Sequence, residues 1–385
     1  MATLTLRGIN VWDGLRGAAV ESTVTLENGH VTALGAAGGA DFDFSGCTVI
    51  PGLIDGHAHL CFNAGTDWRA VYESDTAGRM LLRMAWAGRS MLEAGITTVR
   101  DLGAPTTLAV EIREAFRSGL VTGPDLLVSG APITTTGGHC YFMGGEADGE
   151  LEIRKAVRNR VKAGVDCIKI MATGGNMTRG TNTLAAQFTV DELGACVDEA
   201  HRLRKKVAAH CHGTPGIVNA VAAGVDFLEH CSFNGPAGID YDPEAMVEAA
   251  RKGIVVSPTV SVGYRRWPDD GLRRRRGEVL QNIFAANVPV LMSTDCGIPG
   301  VPHAALAGGM DVLRELAGLS PVDTLKLATS RAAELLGLTD RGVIAEGQRA
   351  DLLVLDGNPL AELSALERVR AVFKAGQLVY ERGRT

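Results

Sequence analysis

The sequence predicts an α/β protein, a (β/α)8 TIM-like barrel accompanied by a small β-sandwich domain formed from both chain ends. Three observations predict this. Strand-like and helix-like segments alternate through the middle of the 385-residue chain, short strands and turns occupy both ends, and histidines or carboxylates follow several of the middle strands. Such alternation is typical of parallel sheets whose crossovers are helices. We expect residues 1–51 and 345–385 to form the small domain and residues 52–344 the barrel.

The composition is that of an ordinary folded protein, with 46% hydrophobic and 21% charged residues. A net charge of −6 gives no reason to expect nucleic acid as a partner. The first residues lack a secretory signal pattern, and no uninterrupted apolar stretch reaches the ~18–20 residues of a membrane span. We therefore expect a cytoplasmic protein with no membrane contact.

Two further features of the composition carry structural expectations. The eight cysteines are scattered and form no Cys-x-x-Cys pair, which predicts reduced, mostly buried thiols. The one basic run, Arg273 to Arg276, has acidic neighbours, and it is predicted to be a solvated helix face.

The two chain ends carry the strands of the predicted small domain. Between two of them, Asn28-Gly29 is a strong hairpin signal. The candidate strands are residues 3–6, 20–26, 30–34 and 47–50 near the start and 352–355, 369–374 and 378–380 near the end.

The middle of the chain carries eight candidate strands. They are residues 53–60, 97–102, 125–129, 166–171, 207–211, 226–231, 254–260 and 289–294. The clearest helix between them covers 190–205, with acidic residues in its first turn and basic residues in its last. A doubly wound open sheet would also fit this alternation. The polar residues at the strand ends favour the barrel, because a barrel brings the C-terminal ends of all its strands to one mouth.

Several strand ends carry candidate metal ligands. His57 and His59 are two residues apart on the first strand, so their side chains point the same way. His210 and His212 share a face of the fifth strand for the same reason. The sixth and eighth strands end in one further candidate each, His230 and Asp295.

Lys169 stands alone in the strongly apolar fourth strand, and alternation sends it away from Ile168 and Ile170, into the barrel. An unpaired buried ammonium is costly and tends to lose its proton. A neutral lysine amine beside metal ions can react with carbon dioxide to give a carbamate whose two oxygens bridge two metals. A salt bridge to Asp295 or another carboxylate is the alternative, and this strand alone does not decide between them.

The donor types indicate the chemistry. Nitrogen and carboxylate ligands suit zinc best, although manganese, cobalt, nickel or iron accept the same donors. Two ions about 3.5–4 Å apart, bridged by the carbamate and a hydroxide, would explain a ligand set too large for one ion. The bridging hydroxide would be the nucleophile, and Asp295 could take its proton and pass it to a leaving group. The implied reaction is hydrolysis at a carbonyl or similar centre.

With these motifs the chain resembles the amidohydrolase superfamily over nearly its whole length. The resembling segments are residues 49–59, 169–175, 209–210, 229–230, 293–295 and 350–356. The resemblance implies that His57 and His59 bind one metal ion and that His210 and His230 bind the other. It also implies a carboxylated bridging lysine and a proton-shuttling aspartate ligand, here Lys169 and Asp295. The barrel with a small sandwich from both chain ends is likewise the fold that the resemblance implies.

Residues 169–175 and 137–139 resemble one branch of that superfamily, which contains Xaa-Pro dipeptidase-like and arginine or lysine carboxypeptidase-like enzymes and ochratoxin-type amidases. In that branch the histidine matching His139 contacts the substrate, so the resemblance implies a catalytic role; a loop-stabilising hydrogen bond is the alternative. His212 replaces a tyrosine that often holds a substrate carboxylate there, which weakens a strict dipeptidase interpretation. Tyr141 and His303 are further candidates to contact the substrate.

We therefore expect a binuclear metal hydrolase of an amide bond in an N-acyl amino acid or dipeptide-like small molecule, in a chain that forms a homo-oligomer. A carbamate, urea, lactone or cyclic imide is the alternative substrate for the same site. A non-catalytic assembly protein is disfavoured because every predicted ligand position is filled. Candidates to hold a substrate carboxylate are Arg179, Arg265 and Arg266.

Overall fold

The computed structural model describes residues 3–35, 41–267 and 270–383, and these form an α/β fold. The first five strands are β1 Leu4–Val11, β2 Val20–Glu27, β3 His30–Leu34, β4 Phe42–Asp43 and β5 Cys47–Pro51. The first half of the middle contains β6 Leu53–Ala58, α1 Trp68–Ser74, α2 Ala77–Glu93, β7 Ile96–Asp101, α3 Thr106–Arg117, β8 Asp125–Val128, α4 Gly149–Ala163, β9 Ile168–Ile170 and α5 Val190–Arg202.

The second half of the middle contains β10 Val207–Gly213, α6 Thr214–Ala223, β11 Phe227–Gly235, β12 Gly238–Ile239, α7 Pro243–Lys252, β13 Val255–Ser257, α8 Asp270–Ala285, α9 Leu306–Ala317, α10 Pro321–Leu327 and α11 Ser330–Leu336. The last strands are β14 Leu352–Asp356, β15 Val369–Lys374 and β16 Gln377–Glu381. Short 3-10 helices cover Tyr141–Met143, Val262–Arg266 and Leu363–Glu367.

Strands from both chain ends share one sheet. Its order is β16-β15-β14-β5-β1-β2-β3, with β4 beside β1, and the two ends meet where β5 pairs with β14. The predicted hairpin is present, because Asn28 and Gly29 both have positive φ (51° and 85°) between the paired strands β2 and β3. The sandwich packing of this sheet and the limits of the two domains stay predictions.

The middle strands form two parallel sheets. One has the order β6-β7-β8, and the other joins β9, β10, β11 and β13, with the short β12 antiparallel to β11. Backbone hydrogen bonds also join neighbouring segments of the two sheets. Asp166 N donates to Val128 O at 2.8 Å, and Ile133 N donates to Lys169 O at 2.8 Å. In both sheets the carboxyl ends of the strands carry the predicted ligands.

The predicted eighth strand, residues 289–294, is not a regular strand. Val290 forms a single parallel bridge to Val256. The backbone groups of the following residues then form hydrogen bonds with several different segments of the chain. Met292 N bonds to Leu327 O, and Met292 O accepts from Gly56 N at 3.0 Å. A Cβ at Gly56 would lie 2.9 Å from Met292 O, so this close approach of the first and eighth segments requires glycine.

The helix predicted over 190–205 is shorter than expected. It begins with a capping box in which Thr189 and Glu192 exchange hydrogen bonds, and it ends at Arg202. The basic residues that follow therefore lie outside the helix, and Arg204 has a φ of 57°.

Three other expectations come from the composition, and they concern the cysteines, membrane-spanning helices and the basic run. All eight cysteines are free and buried, as predicted. Within the described residues, no helix combines the length and apolar character needed to cross a membrane. The basic run is only partly a solvated face: the side chain of Arg274 is 67% exposed, whereas Arg276 is 2% exposed, because it turns inward to bind backbone carbonyls.

Candidate metal centre

A cavity of about 320 Å³ opens at the carboxyl ends of the middle strands. It is lined by eight of the predicted site residues, which come from five strand ends and the loop after β8: His57, His59, His139, Lys169, His210, His212, His230 and Asp295. The parallel arrangement of the strands thus brings together side chains that are far apart in the sequence.

His57 and His59 form the first pair of imidazoles. The Nδ1 atom of His57 lies 2.8 Å from Glu229 Oε2, and the Nδ1 atom of His59 lies 3.1 Å from Gly103 O. Both acceptors are oxygens, so each Nδ1 carries the hydrogen and each Nε2 keeps its lone pair. The two Nε2 atoms face each other at 3.2 Å.

His210 and His230 form the second pair. The Nε2 atom of His210 donates to Gly174 O at 3.2 Å, so its Nδ1 keeps a lone pair. That Nδ1 lies 2.8 Å from the Nε2 atom of His230, whose own Nδ1 lies 2.8 Å from Thr259 Oγ1. Both rings are therefore oriented by oxygen partners outside the pair, with one nitrogen of each turned towards the other.

These two pairs fit metal ions. Two lone pairs repel at such distances unless a proton or a cation lies between them. Nitrogens that bind one tetrahedral zinc ion at about 2.0–2.1 Å lie about 3.3 Å apart, close to the 3.2 Å of the first pair. The 2.8 Å of the second pair is the length of a hydrogen bond between the two rings, so this pair would open by about 0.5 Å to bind an ion. Further groupings of possible ligand atoms within 4.8 Å of one another are His210 with His212 and His230, and His57 with His230 and Asp295.

Lys169, on β9, lines the same cavity as these two pairs. It is 2% exposed, and its Nζ atom has no hydrogen-bond partner among the described residues. Burial lowers the pKa of its ammonium group, although the charges of Glu229 and Asp295 act in the opposite direction. The alternative prediction of a salt bridge is thus not met within the described residues. An unpartnered amine at this place fits a group whose modified form would bind cations.

Asp295 is held by the first and eighth segments. Its backbone, at a φ of 60°, donates from N to His57 O at 2.9 Å. Its Oδ1 atom lies 3.1 Å from His59 Nε2 and 3.4 Å from His57 Nε2. The preceding Thr294 is fixed by Asp55, which accepts from its Oγ1 at 2.6 Å. The carboxylate therefore faces the first pair of imidazoles directly.

Burial sets the protonation state of most of these rings. It lowers the pKa of His57 to about 4, of His139 to about 3 and of His212 to about 4. Burial also lowers the pKa of His59, but the hydrogen bond and charge of Asp295 outweigh it and raise that pKa. Neutral imidazole is the form that binds metal ions, so burial favours the ligand state of His57, His210 and His230, whereas Asp295 favours the protonated form of His59.

Comparison with known proteins settles the family. The sequence model of the Amidohydrolase family matches residues 48–379. The chain belongs to the amidohydrolase family. It is 31% identical over 381 residues to ochratoxinase from Aspergillus niger, an alignment that covers 86% of this amidohydrolase and 75% of that protein.

Solved structures agree with this assignment. This amidohydrolase superimposes with a TM-score of 0.87 and 27% identity on a Xaa-Pro dipeptidase with methionine bound in its active site, covering 99% of this chain and 100% of that one. It superimposes with a TM-score of 0.86 and 30% identity on a prolidase in complex with N-methylphosphonate-L-proline, with coverage of 99% and 100%. Both alignments include the small sheet as well as the middle strands.

His139 lies on the loop after β8 in this amidohydrolase, with its ring 4.6 Å from that of His210. Its Nδ1 atom is buried without a hydrogen-bond partner among the described residues. Only its backbone is anchored, by donation to Gln187 Oε1 at 2.7 Å. Nδ1 therefore makes no loop-stabilising hydrogen bond within the described residues, and this atom remains available for a substrate. A Cβ at Gly175 would lie 2.4 Å from the His139 ring, so the ring packs on bare backbone.

Replacing Gly175 with alanine is expected to lower kcat/KM by about 100-fold, because the new methyl group must displace the His139 ring. The matched control is Gly194→Ala, where an added Cβ meets no atom within 4 Å. Both variants should bind as much metal as the parent protein. Equal kcat/KM for the two variants would show that the position of His139 does not matter.

Of the other predicted substrate contacts, one lines the cavity and two do not. His212 lines the cavity, with Nδ1 2.9 Å from Ser232 Oγ and its ring stacked 4.5 Å from that of His230. Tyr141 and His303 do not line it. Tyr141 lies in the short helix Tyr141–Met143, 38% exposed, and the Nε2 atom of His303 lies 3.2 Å from His59 O. His303 therefore supports a ligand strand instead of facing the cavity.

An aromatic cluster adjoins the cavity. Trp68 and Tyr72 pack against both Phe62 and Phe142, and of these four rings only Phe62 lines the cavity. The cavity wall also carries a stacked pair of half-buried aromatic rings that sequence reasoning missed, Tyr264 and Trp267. The candidate arginines are engaged elsewhere or remote: Arg265 pairs with Asp311, Arg266 donates to Gly300 O, and Arg179 does not line the cavity.

Sequence reasoning also missed a buried ion pair behind His57. Glu229 accepts from His57 through Oε2 and from Arg100 Nη2 through Oε1 at 2.7 Å. Arg100 also donates from Nε to Gly56 O at 2.7 Å and stacks 4.2 Å from the Phe227 ring. Burial raises the pKa of Glu229, but Arg100 and His57 outweigh it and lower that pKa to about 2. The residue is therefore an anionic acceptor that fixes the ring of His57.

Glu229→Gln is expected to weaken binding of one metal ion by about 10–100-fold, because an amide cannot accept from both His57 and Arg100. Glu199→Gln is the matched control, since Glu199 is another carboxylate with little exposed surface, and it pairs with Arg158 and does not line the cavity. Chelator competition measures both affinities. If the two variants bind zinc equally well, Glu229 does not orient a ligand.

Proposed function

We propose that this amidohydrolase hydrolyses an amide bond in an N-acyl amino acid or dipeptide-like molecule, using two divalent metal ions. One observation carries the proposal. Two pairs of histidine rings, His57 with His59 and His210 with His230, line the same cavity as the unpartnered amine of Lys169. The family and its relatives, an ochratoxinase and two structures of Xaa-Pro peptidases, support a hydrolase of carbon–nitrogen bonds.

The ligand assignment follows the geometry of the site. His57 and His59 would hold one ion and His210 and His230 the other, while Asp295 would bind beside the first pair. Lys169, carboxylated by carbon dioxide with loss of a proton, would supply an oxygen to each ion. Zinc suits this nitrogen and oxygen donor set best. The ions would supply Lewis acidity and an activated water molecule when bound.

The remaining steps belong to the chain's own groups. Asp295 would accept a proton from the attacking water and deliver it to the leaving nitrogen, because its carboxylate faces the ligand cluster at the cavity floor. His139 would donate a hydrogen bond to the substrate carbonyl through its unpartnered ring nitrogen. His212, which also lines the cavity beside His210, would contact another part of the substrate.

The proposal includes a closed barrel over residues 52–344. The bonds from Gly56 N to Met292 O and from His59 N to Cys296 O support closure between the first and eighth segments. The bonds across Asp166 and Lys169 support it between the third and fourth. Closure would explain why six ligands from separate segments face one cavity.

A second candidate is a neutral carbamate or urea. Among the described residues that line the cavity there is no arginine, so a substrate carboxylate would depend on imidazoles and neutral polar groups. The stacked Tyr264 and Trp267, with Met177 and Ile298, offer an apolar surface that suits an uncharged group.

One experiment tests both candidates. The zinc-loaded protein is assayed with N-benzoyl-alanine, with its uncharged methylamide, and with an aryl carbamate of the same ring. Fast turnover of the first supports the leading proposal, and fast turnover of the carbamate alone supports the second. Hydrolysis that survives complete metal removal, or no hydrolysis of any of them by metal-loaded protein, would contradict the proposed function.

A further inference from the structure

Arg276 is a buried guanidinium behind the second pair of imidazoles. It lies on α8, is 2% exposed, and reaches backbone carbonyls of two strand ends. Its Nη2 atom donates to His230 O at 2.7 Å and to Pro258 O at 3.2 Å, and its Nη1 atom donates to Cys231 O at 2.9 Å. The preceding Arg274 instead pairs with Glu278 at the surface.

The carbonyls that Arg276 binds belong to two strained backbone turns, one that interrupts β11 and one just after β13. His230 and Cys231 have φ values of 65° and 46°, and Thr259, which follows Pro258, has a φ of 49°. Left-handed backbone is unfavourable for a non-glycine residue and persists only where the surroundings enforce it. Arg276 binds both carbonyls of the first turn and the carbonyl that begins the second.

These two turns together orient the ring of His230. The first sets the direction in which its side chain leaves the strand. The second presents Thr259 Oγ1, which lies 2.8 Å from His230 Nδ1 and turns Nε2 towards His210. The guanidinium of Arg276 therefore fixes the backbone of His230 and also the turn that presents Thr259 to the His230 ring.

We propose that Arg276 is a positioning residue for the metal ion held by His210 and His230. The inference rests on the proposed function, because it assumes that this pair binds an ion. Arginine is required because its planar fork makes three bonds to carbonyls in fixed directions, which the single ammonium of lysine cannot reproduce.

The test titrates metal-free protein with zinc against a chromophoric chelator and compares Arg276→Met, Arg276→Lys and the control Arg274→Met. Arg276→Met should bind one of two ions about 10–100-fold more weakly, Arg276→Lys should fall between, and the control should match the parent protein. Thermal unfolding of the metal-free proteins is measured alongside, because a merely structural role would lower Tm without changing either affinity.

The outcomes distinguish a failure of the role inferred for Arg276 from a failure of the proposed function. Parental affinity for both ions in Arg276→Met overturns the inference, whatever its Tm. If Arg276→Met does not fold, Arg276→Lys decides in its place: parental affinity overturns the inference, and weakened binding of one ion supports it. If the parent protein binds no zinc, the proposed function fails and the inference fails with it. If the parent binds two ions and the Arg276 variants do so equally well, only the inference fails.

Discussion

Lys169→Ala is expected to leave a folded protein that has lost most of its metal and about 1,000-fold or more of its kcat/KM. The reason is that Lys169 lines the same cavity as both imidazole pairs and is the proposed bridge between their ions, and its amine has no hydrogen-bond partner among the described residues. Metal content per chain, measured by elemental analysis after gel filtration, checks the result.

Two comparisons sharpen that experiment. Lys206→Ala removes a lysine whose Nζ donates to Leu335 O outside the cavity, and it should keep full metal content. Adding propionate to Lys169→Ala should restore part of both metal and activity, since a small carboxylate can occupy the space of the missing side chain. Two ions per chain in Lys169→Ala without any additive would refute the bridging assignment.

Asp295→Asn is expected to keep the fold and lower kcat by about 100- to 10,000-fold, because an amide has nearly the same shape but cannot carry a proton. The bond from its backbone N to His57 O and the anchoring of Thr294 by Asp55 do not depend on the carboxylate. Steady-state kinetics of the zinc-loaded variant, with circular dichroism to confirm folding, measure the effect.

The control for this substitution is Asp226→Asn. Asp226 precedes β11, at the end of the strand opposite to the cavity, and accepts from Val207 N and lies 2.8 Å from His201 Nε2. Its loss should change stability but not kcat. A rate for Asp295→Asn within a few-fold of the parent would exclude Asp295 as the proton carrier.

Local rules were enough for the parts of the site that lie on one extended strand. Side chains alternate with a period of two, so the common direction of His57 and His59 and the inward turn of Lys169 follow from short stretches of sequence. The α/β class is confirmed for the same reason, since the alternation of helices and strands is a local pattern.

Where the backbone leaves the extended region, these rules do not hold. His230 has a φ of 65°, and as a result the adjacent Glu229 and His230 both turn towards the histidine cluster, one to His57 and the other to His210. Strict alternation assigns them to opposite faces, so it cannot identify Glu229. The eighth segment, with Asp295 at a φ of 60°, fails as a regular strand for a related reason.

Long-range partners are also beyond sequence patterns. Arg100 is 129 residues from Glu229, and Arg276 is 46 residues from His230. Each contact depends on the packing of a strand or a helix against the ligand strands. The basic run gave no sign that its last arginine points inward, because charge patterning alone describes an average helix face.

The most direct measurement of the central claim is anomalous diffraction from crystals grown with zinc. We expect two strong peaks in the cavity, one beside the Nε2 atoms of His57 and His59 and one beside His210 Nδ1 and His230 Nε2, with extra density joining Lys169 Nζ to both. A cavity without anomalous peaks, or a single peak away from both imidazole pairs, would contradict it.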